Sequence, residues 1–201
     1  MRARKYFIFT LGVILADQAI KLVVHYNMDM GPGGEIIVFD DWFKLHYILN
    51  RGMAFGLSFD SIYGKLGLTL FRVVAALFIG VIIYRFSRKN YHPGLLWCMA
   101  AILGGALGNV IDSVFYGVFL DNAPYNAITP WFHGQVIDVF YVDLWEGYLP
   151  SWIPLWGGSK VALWPIFNLA DAAIFGGVFA LLFFQKTFMG TYRPSKRKLT
   201  L

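Results

Sequence analysis

The chain has 201 residues, 58% of them hydrophobic, 14% charged and 18% aromatic, with a mean hydropathy of +0.57 and a formal net charge of +5. Soluble chains are roughly a quarter charged, so this deficit, beside apolar runs of about 20 residues, excludes an ordinary water-soluble domain and indicates membrane spans. The single cysteine, Cys98, excludes a disulfide framework and a cysteine-based zinc site.

Four segments are long and apolar enough to cross a bilayer: about 6-24, 66-86, 94-113 and 163-185. The first follows the basic residues Arg2, Arg4 and Lys5, and no small-residue cleavage pattern follows its apolar run, so it reads as a retained helix. The loop after it, about 25-65, carries the turn signal Gly31-Pro-Gly-Gly34, the alternating stretch Trp42-Phe-Lys-Leu-His-Tyr-Ile-Leu49 and a second turn signal at Asn50-Arg-Gly52. These predict a small extracytoplasmic β-sheet lying on the membrane. The other long loop, about 114-162, holds Trp131, Trp145, Trp152 and Trp156. Tryptophan prefers the headgroup level, which makes this a membrane-lying aromatic loop; a core for a small extramembrane layer is the equal alternative. The histidines His25, His46, His92 and His133 lack HxxH or HExxH spacing and read as interfacial or solvated, so neither a metal nor another cofactor is expected.

Charge sets the orientation. Of the 17 Lys and Arg, eleven lie at the start, in the connection between spans two and three (Arg85, Arg88, Lys89) and in the basic tail 186-201. None of the 12 acidic residues does. The positive-inside rule then puts both termini in the cytoplasm and both long loops outside. The fold class is membrane α-helical, with four transmembrane helices forming one domain over residues 1-201. The net charge reflects this topology and attraction to anionic lipid headgroups, not nucleic-acid binding.

Charged groups inside spans are costly and need a partner or a purpose. Asp17 and Lys21, four apart on one helix face, read as a satisfied ion pair near a helix end. Arg72 reads as snorkelling outward to the headgroups. Span three contains Gly104-Gly-Ala-Leu-Gly-Asn-Val-Ile-Asp112, in which Gly104 and Gly108 let another backbone approach. Asn109 with Asp112, and Asn168 with Asp171, are each three apart and face one way. With span four entering near residue 163, Asp171 is expected about 12 Å below that entrance. A shared polar site at the outer end of spans three and four follows.

Carboxylates are the main catalytic option for such a site. Two in a low-dielectric pocket share a proton, so one holds it while the other activates water. Asp171 is one partner, and spacing leaves Asp112, Asp138 and Asp143 open as the other. Serine catalysis competes weakly: Ser58, Ser61, Ser87, Ser113, Ser151, Ser159 and Ser195 include no GxSxG elbow, and Ser113 reads as a polar residue at a helix end.

Five blocks in order, Asp17-Gln18-x-x-Lys21, Asn50-Arg-Gly-Met-Ala-Phe-Gly56, Gly104 to Asp112, Gly134-Gln-Val-Ile-Asp138-Val-Phe140 and Phe167-Asn168-Leu-Ala-Asp171, closely resemble the motifs of lipoprotein signal peptidase, also called signal peptidase II. The resemblance implies an intramembrane aspartic endopeptidase of the bacterial inner membrane. Such enzymes cut diacylglyceryl-modified prolipoproteins just before the lipidated cysteine, on the extracytoplasmic side. It implies Asp138 and Asp171 as the catalytic pair, Asn50, Gly108, Asn109 and Asn168 as residues lining the site, and Asp17 with Lys21 as supporting positions. It also implies a periplasmic cradle beside the four helices, which agrees with the sheet expected in the first loop. The implied partners are prolipoprotein substrates and membrane lipids, and a monomer is expected. Two departures stand out: Ser113 occupies a position where many members have arginine, for which Arg51 or Arg72 is a substitute, and the second long loop is unusually aromatic. A small transporter or proton relay using Asp17, Asp112 and Asp171 is the non-enzymatic alternative. A prepilin-type peptidase is disfavoured, because its aspartates would lie toward the cytoplasm.

Overall fold

The computed structural model describes residues 3–40, 42–52, 62–89, 91–153, 157–158, 160–162 and 164–189. Arg2, Met53-Ala-Phe-Gly56, Ser58, Ser61, Trp156, Ser159 and the basic tail beyond residue 189 lie outside them.

Among the described residues, three helices are long and apolar enough to cross a membrane. Helix α1 (Arg4–Asn27) has 24 residues and α2 (Ile62–Arg88) has 27. Helix α3 (Pro93–Ile111) continues through a π-helical stretch, Asp112–Tyr116, into the single turn α4 (Gly117–Phe119). At the α-helical rise, α1 is about 36 Å long, more than the hydrocarbon thickness of a typical bilayer. Leu15, Phe71, Val74 and Phe78 stay exposed on these helices, as surfaces facing lipid tails do. Helix α3 begins at a proline, where the missing N–H loses no bond, and the His92 ring nitrogen Nδ1 accepts from Gly94 N at 3.1 Å.

Helix α3 is the hub, flanked by α1 and by α5 (Leu169–Phe183). The glycines of its motif explain how closely they approach. A Cβ at Gly104 would stand 2.8 Å from the Val13 Cβ of α1, one at Gly108 would stand 2.6 Å from Asp17 Oδ2, and one at Gly105 would collide with the Ala170 carbonyl oxygen of α5. The expected close backbone approach is therefore present on both sides of α3. Cys98 is half-buried in the same helix, as a packing residue would be.

The fourth apolar segment departs from expectation. Among the described residues of 163-185, helix begins at Leu169 and runs 15 residues, Leu169–Phe183, followed by α6 (Gln185–Met189). Pro165 disfavours helix in the residue before it. Phe167 pairs instead with Phe140, through N–H···O bonds of 2.8 and 3.0 Å. Asn168 then caps the helix, so Asp171 sits in its first turn rather than deep along it.

The expected sheet forms, but not from the first loop alone. Strands β1 (Ile36–Phe39) and β2 (Phe43–Asn50) are antiparallel, and β2 pairs on its other edge with β3 (Val136–Val142) from the second loop. A separate hairpin joins β4 (Glu146–Tyr148) to β5 (Lys160–Ala162). One core cluster, Val24, Tyr47, Tyr116, Ile137 and Val139, fixes the three-stranded sheet to α1 and the end of α3. Trp131, Trp145 and Trp152 are exposed, so they do not form the core of an extramembrane layer. His133 is buried at 2% exposure and donates from its ring to the Trp131 carbonyl at 3.0 Å, against the solvated reading of the histidines.

Candidate active site

Alternation along β3 places the first carboxylate. Ile137 and Val139 point into the core and are fully buried, so Asp138 between them points the other way, and it too is fully buried. Its two oxygens are both bound. Asn50 Nδ2 donates to Asp138 Oδ2 at 2.9 Å, and Asn168 Nδ2 donates to Asp138 Oδ1 at 2.6 Å. The first is a diagonal contact across the sheet, since Ile48 is the residue opposite Asp138. Asn50 is oriented in turn by Gly52, whose N–H donates to Asn50 Oδ1 at 2.7 Å. Gly52 holds a φ of 97°, where a side chain would be strained.

Asn168 brings the second carboxylate alongside. Its Oδ1 accepts from Asp171 N at 2.8 Å while its own N–H donates to Asp171 Oδ2 at 3.4 Å, a reciprocal cap. Asn109 Nδ2 donates to Asp171 Oδ1 at 2.8 Å, and Asn109 Oδ1 accepts from Asn168 Nδ2 at 3.2 Å. Asp138 and Asp171 therefore meet around one asparagine, and both carry amide donors on their oxygens. Burial first, and the nearby Asp171 charge second, push the Asp138 carboxyl up to about 7, against the opposing pull of Asn50 and Asn168. Asp171 lies in the first turn of α5, where a negative charge is favoured.

A second buried network fixes the elements that carry this pair. Lys21 Nζ contacts Asp17 Oδ2 at 2.8 Å, Asp112 Oδ2 at 2.7 Å and Asn109 Oδ1 at 3.0 Å, which uses all three ammonium hydrogens. The expected Asp17–Lys21 pair is present, but it is a fully buried triad with Asp112 rather than an isolated pair at a helix end. Asp17 Oδ1 also accepts from Ala170 N at 2.9 Å, and Asp112 Oδ2 from Ile137 N at 3.3 Å. Gln18 donates to Asp112 Oδ1 at 2.9 Å and takes a bond from the Tyr116 hydroxyl at 2.8 Å. Helix α1 thus holds α3, β3 and α5 together at one point.

The three partners left open for Asp171 now separate. Asp112 is bound to Lys21, and Asp143 pairs with Lys44 at 2.8 Å on the half-exposed edge of the sheet. Only Asp138 shares an amide with the Asp171 cap. Ser113 is buried and accepts from Arg72 Nη1 at 3.3 Å, which removes it as a base-activated nucleophile. Arg72 consequently does not snorkel to headgroups: Ser113 is short and buried, and the guanidinium reaches it. The triad also removes Asp17 and Asp112 as free stations for a proton relay.

The Signal peptidase (SPase) II family model matches residues 9–187. The chain belongs to the signal peptidase II family. Within the similarities, the lipoprotein signal peptidase of Amoebophilus asiaticus is 48% identical over 183 residues, 90% of this chain and 77% of that protein. The lipoprotein signal peptidase of Porphyromonas gingivalis is 39% identical over 181 residues, 85% and 77% of the two chains. A solved structure described as a bacterial membrane enzyme, determined by the in meso method at 2.3 Å resolution, shares 18% identity with a TM-score of 0.59, covering 96% of this chain and 94% of that one. That likeness shows the fold. Membership in the signal peptidase II family makes the chain a peptidase.

Asn50, Asn109 and Asn168, expected from the resemblance as site residues, all contact one or other carboxylate. Gly108 contributes space, through its closeness to Asp17, and a carbonyl oxygen that accepts from Gln18 Nε2 at 3.3 Å. Gln18 and Tyr116, which join the buried network, were not singled out beforehand as site residues. Gln18 is visible in retrospect as the neighbour of Asp17.

Proposed function

We propose that this signal peptidase II family member removes signal peptides from diacylglyceryl-modified prolipoproteins, cutting just before the lipidated cysteine, with Asp138 and Asp171 as its catalytic pair. The observation that carries this reading is the sharing of Asn168 between the two carboxylates, one on a strand and one on a helix start. With one proton between them, Asp171 takes a proton from water as the water attacks the scissile carbonyl carbon. Asp138, the group pushed up to about 7, donates its proton to the carbonyl oxygen. As a hydroxyl of the resulting diol returns its proton to Asp138 and the carbonyl re-forms, the C–N bond breaks and the leaving nitrogen of the cysteine takes the proton from Asp171. Asn50, Asn109 and Asn168 orient the two carboxylates, and Asp17, Lys21, Asp112 and Gly108 hold the elements that carry them.

The substrate is itself a membrane segment with acyl chains, so burying apolar surface in the lipid phase supplies affinity while the cysteine sets the register. The lysine and arginine distribution supports a bacterial inner membrane protein with cytoplasmic termini, working on the extracytoplasmic face. It acts as a monomer among membrane lipids, as one domain whose fourth span includes α5. The test is cleavage by the purified protein in detergent of a diacylglyceryl-modified prolipoprotein beside its unmodified precursor. Cleavage confined to the modified substrate supports the proposal; equal cleavage of both, or cleavage of neither, contradicts it.

A further inference from the structure

Helix α2 carries a cation that the carboxylate pair and its supporting network leave unused. Lys65 is 6% exposed, and among the described residues its Nζ is a buried side-chain nitrogen with no hydrogen-bond partner. Burying an ammonium without a partner is expensive, so such a group is out of place in a purely structural role. Lys65, Thr69 and Arg72 recur at spacings of four and three, which puts them on one face of α2. Thr69 is fully buried on that face, its Oγ1 2.9 Å from the Phe132 carbonyl oxygen, so the face is packed against the second loop. Arg72 reaches Ser113, the neighbour of Asp112, and its Nη2 lies 3.8 Å from where a Cβ on Gly52 would stand, beside the turn that orients Asn50. The electrostatic neighbours of Lys65 are Arg72, Asp112 and Asp138, and those of Arg72 are Asp171, Asp138 and Asp112. Neither cation forms an ion pair within 4.0 Å among the described residues. Among the described residues, two basic side chains are thus held near the carboxylate pair with no anion at ion-pair distance.

Peptide hydrolysis creates an anion there. Water adds across the C–N bond: a new C–O bond forms at the carbonyl carbon, and the nitrogen of the cysteine leaves protonated as an ammonium. The departing signal peptide ends in a carboxylate, which the aspartates beside it repel. We propose that Lys65 and Arg72 form an oxyanion subsite that takes this new C-terminal carboxylate of the signal peptide. The inference rests on the proposed cleavage reaction for the identity of its ligand. The uncut carbonyl bears no full charge, so the subsite discriminates product from substrate.

Direct binding to the full-length protein in detergent tests this independently of turnover. The probes are a synthetic peptide matching the C-terminal end of a lipoprotein signal sequence, made as the free acid and as the amide, and titrated by calorimetry. The expected result is about tenfold tighter binding of the acid, the order of a hydrogen bond to a charged group. In Lys65→Met the preference falls to near one, and in Lys65→Arg it is retained, which separates lost charge from lost folding. Equal binding of acid and amide to the wild type overturns the subsite, as does an undiminished preference in Lys65→Met. Loss in Lys65→Met of phosphatidylglycerol binding, with the acid preference intact, also overturns it and assigns the cations to a lipid phosphate. A missing cleavage activity beside an intact acid preference overturns the reaction, not the subsite.

Discussion

At the scale of single residues, burial and the neighbouring Asp171 charge raise the Asp138 carboxyl, and two asparagines oppose them. The amides of Asn50 and Asn168 each hold one Asp138 oxygen, and both favour the ionised form against burial. Removing one lets the proton stay on longer. Asn50→Leu is expected to move the alkaline limb of the kcat/KM profile upward from about 7 by about one pH unit, measured on the lipidated substrate. A downward move contradicts the assignment of Asp138 as the proton holder. The same group acts on stability with a definite sign. The folded chain keeps the Asp138 proton up to about 7, while an unfolded chain releases it near about 4. The folded state therefore binds more protons across that window, and this group lowers stability as pH rises through it. Lys21 is the opposite kind of residue, with its whole charge used inside the fold. Lys21→Met leaves Asp17 and Asp112 buried without their cation and is expected to lose about 3–5 kcal/mol of unfolding free energy, measured by denaturant titration in detergent. The Asp17–Lys21 pair was legible from its spacing of four, but the third member was not. Asp112 lies 91 positions away from Lys21 in the chain, and only packing of α1 on α3 brings it there.

At the scale of elements, the site depends on how closely α5 sits against α3 and how β3 meets the start of α5. Gly105 allows the first contact, since any Cβ there would strike the Ala170 carbonyl. Gly105→Ala is expected to destabilise the protein by about 1–3 kcal/mol. It also displaces Asp171 from Asn109, and kcat/KM is expected to fall at least tenfold, because small misplacements of reacting groups are costly. Gly176→Ala, with nothing within 4 Å, is the control and stays near wild type in both measurements. Spans one to three and the close approach at the glycines were legible from apolar length and spacing. The start of α5 was misread because hydropathy carries straight through Trp164-Pro-Ile-Phe167, although Asn168-x-x-Asp171 is itself a cap signature. Strand β3 escaped notice for a different reason. Its residues 136–139 are all buried, so Val136-Ile-Asp-Val-Phe-Tyr-Val142 lacks the apolar and polar alternation that marks a one-sided strand.

At the scale of the whole molecule, a three-stranded sheet contributed by two loops stands at the ends of apolar helices, and the carboxylates lie where sheet and helices meet. The proposed topology puts that junction outside the cell membrane. In a Cys98→Ala background, Tyr125→Cys, at a fully exposed loop position, is expected to react with an impermeant maleimide in spheroplasts. Lys89→Cys, in the connection between α2 and α3, is expected to react only after permeabilisation, and the reverse pattern inverts the orientation. Charge asymmetry is the ground on which this topology is proposed, whereas ordered motifs made the family legible, because they are written locally along the chain. The convergence of Asp138 and Asp171 was carried only by the resemblance, since spacing left three partners open and the contact through Asn168 is tertiary. The most direct measurement is therefore cleavage of a diacylglyceryl-modified prolipoprotein by the purified protein beside its Asp138→Asn and Asp171→Asn variants, each checked for folding. Catalysis by the pair predicts cleavage by the wild type and a loss of at least a thousandfold in each variant, about 4 kcal/mol of transition-state stabilisation. Activity near wild type in either folded variant would contradict it.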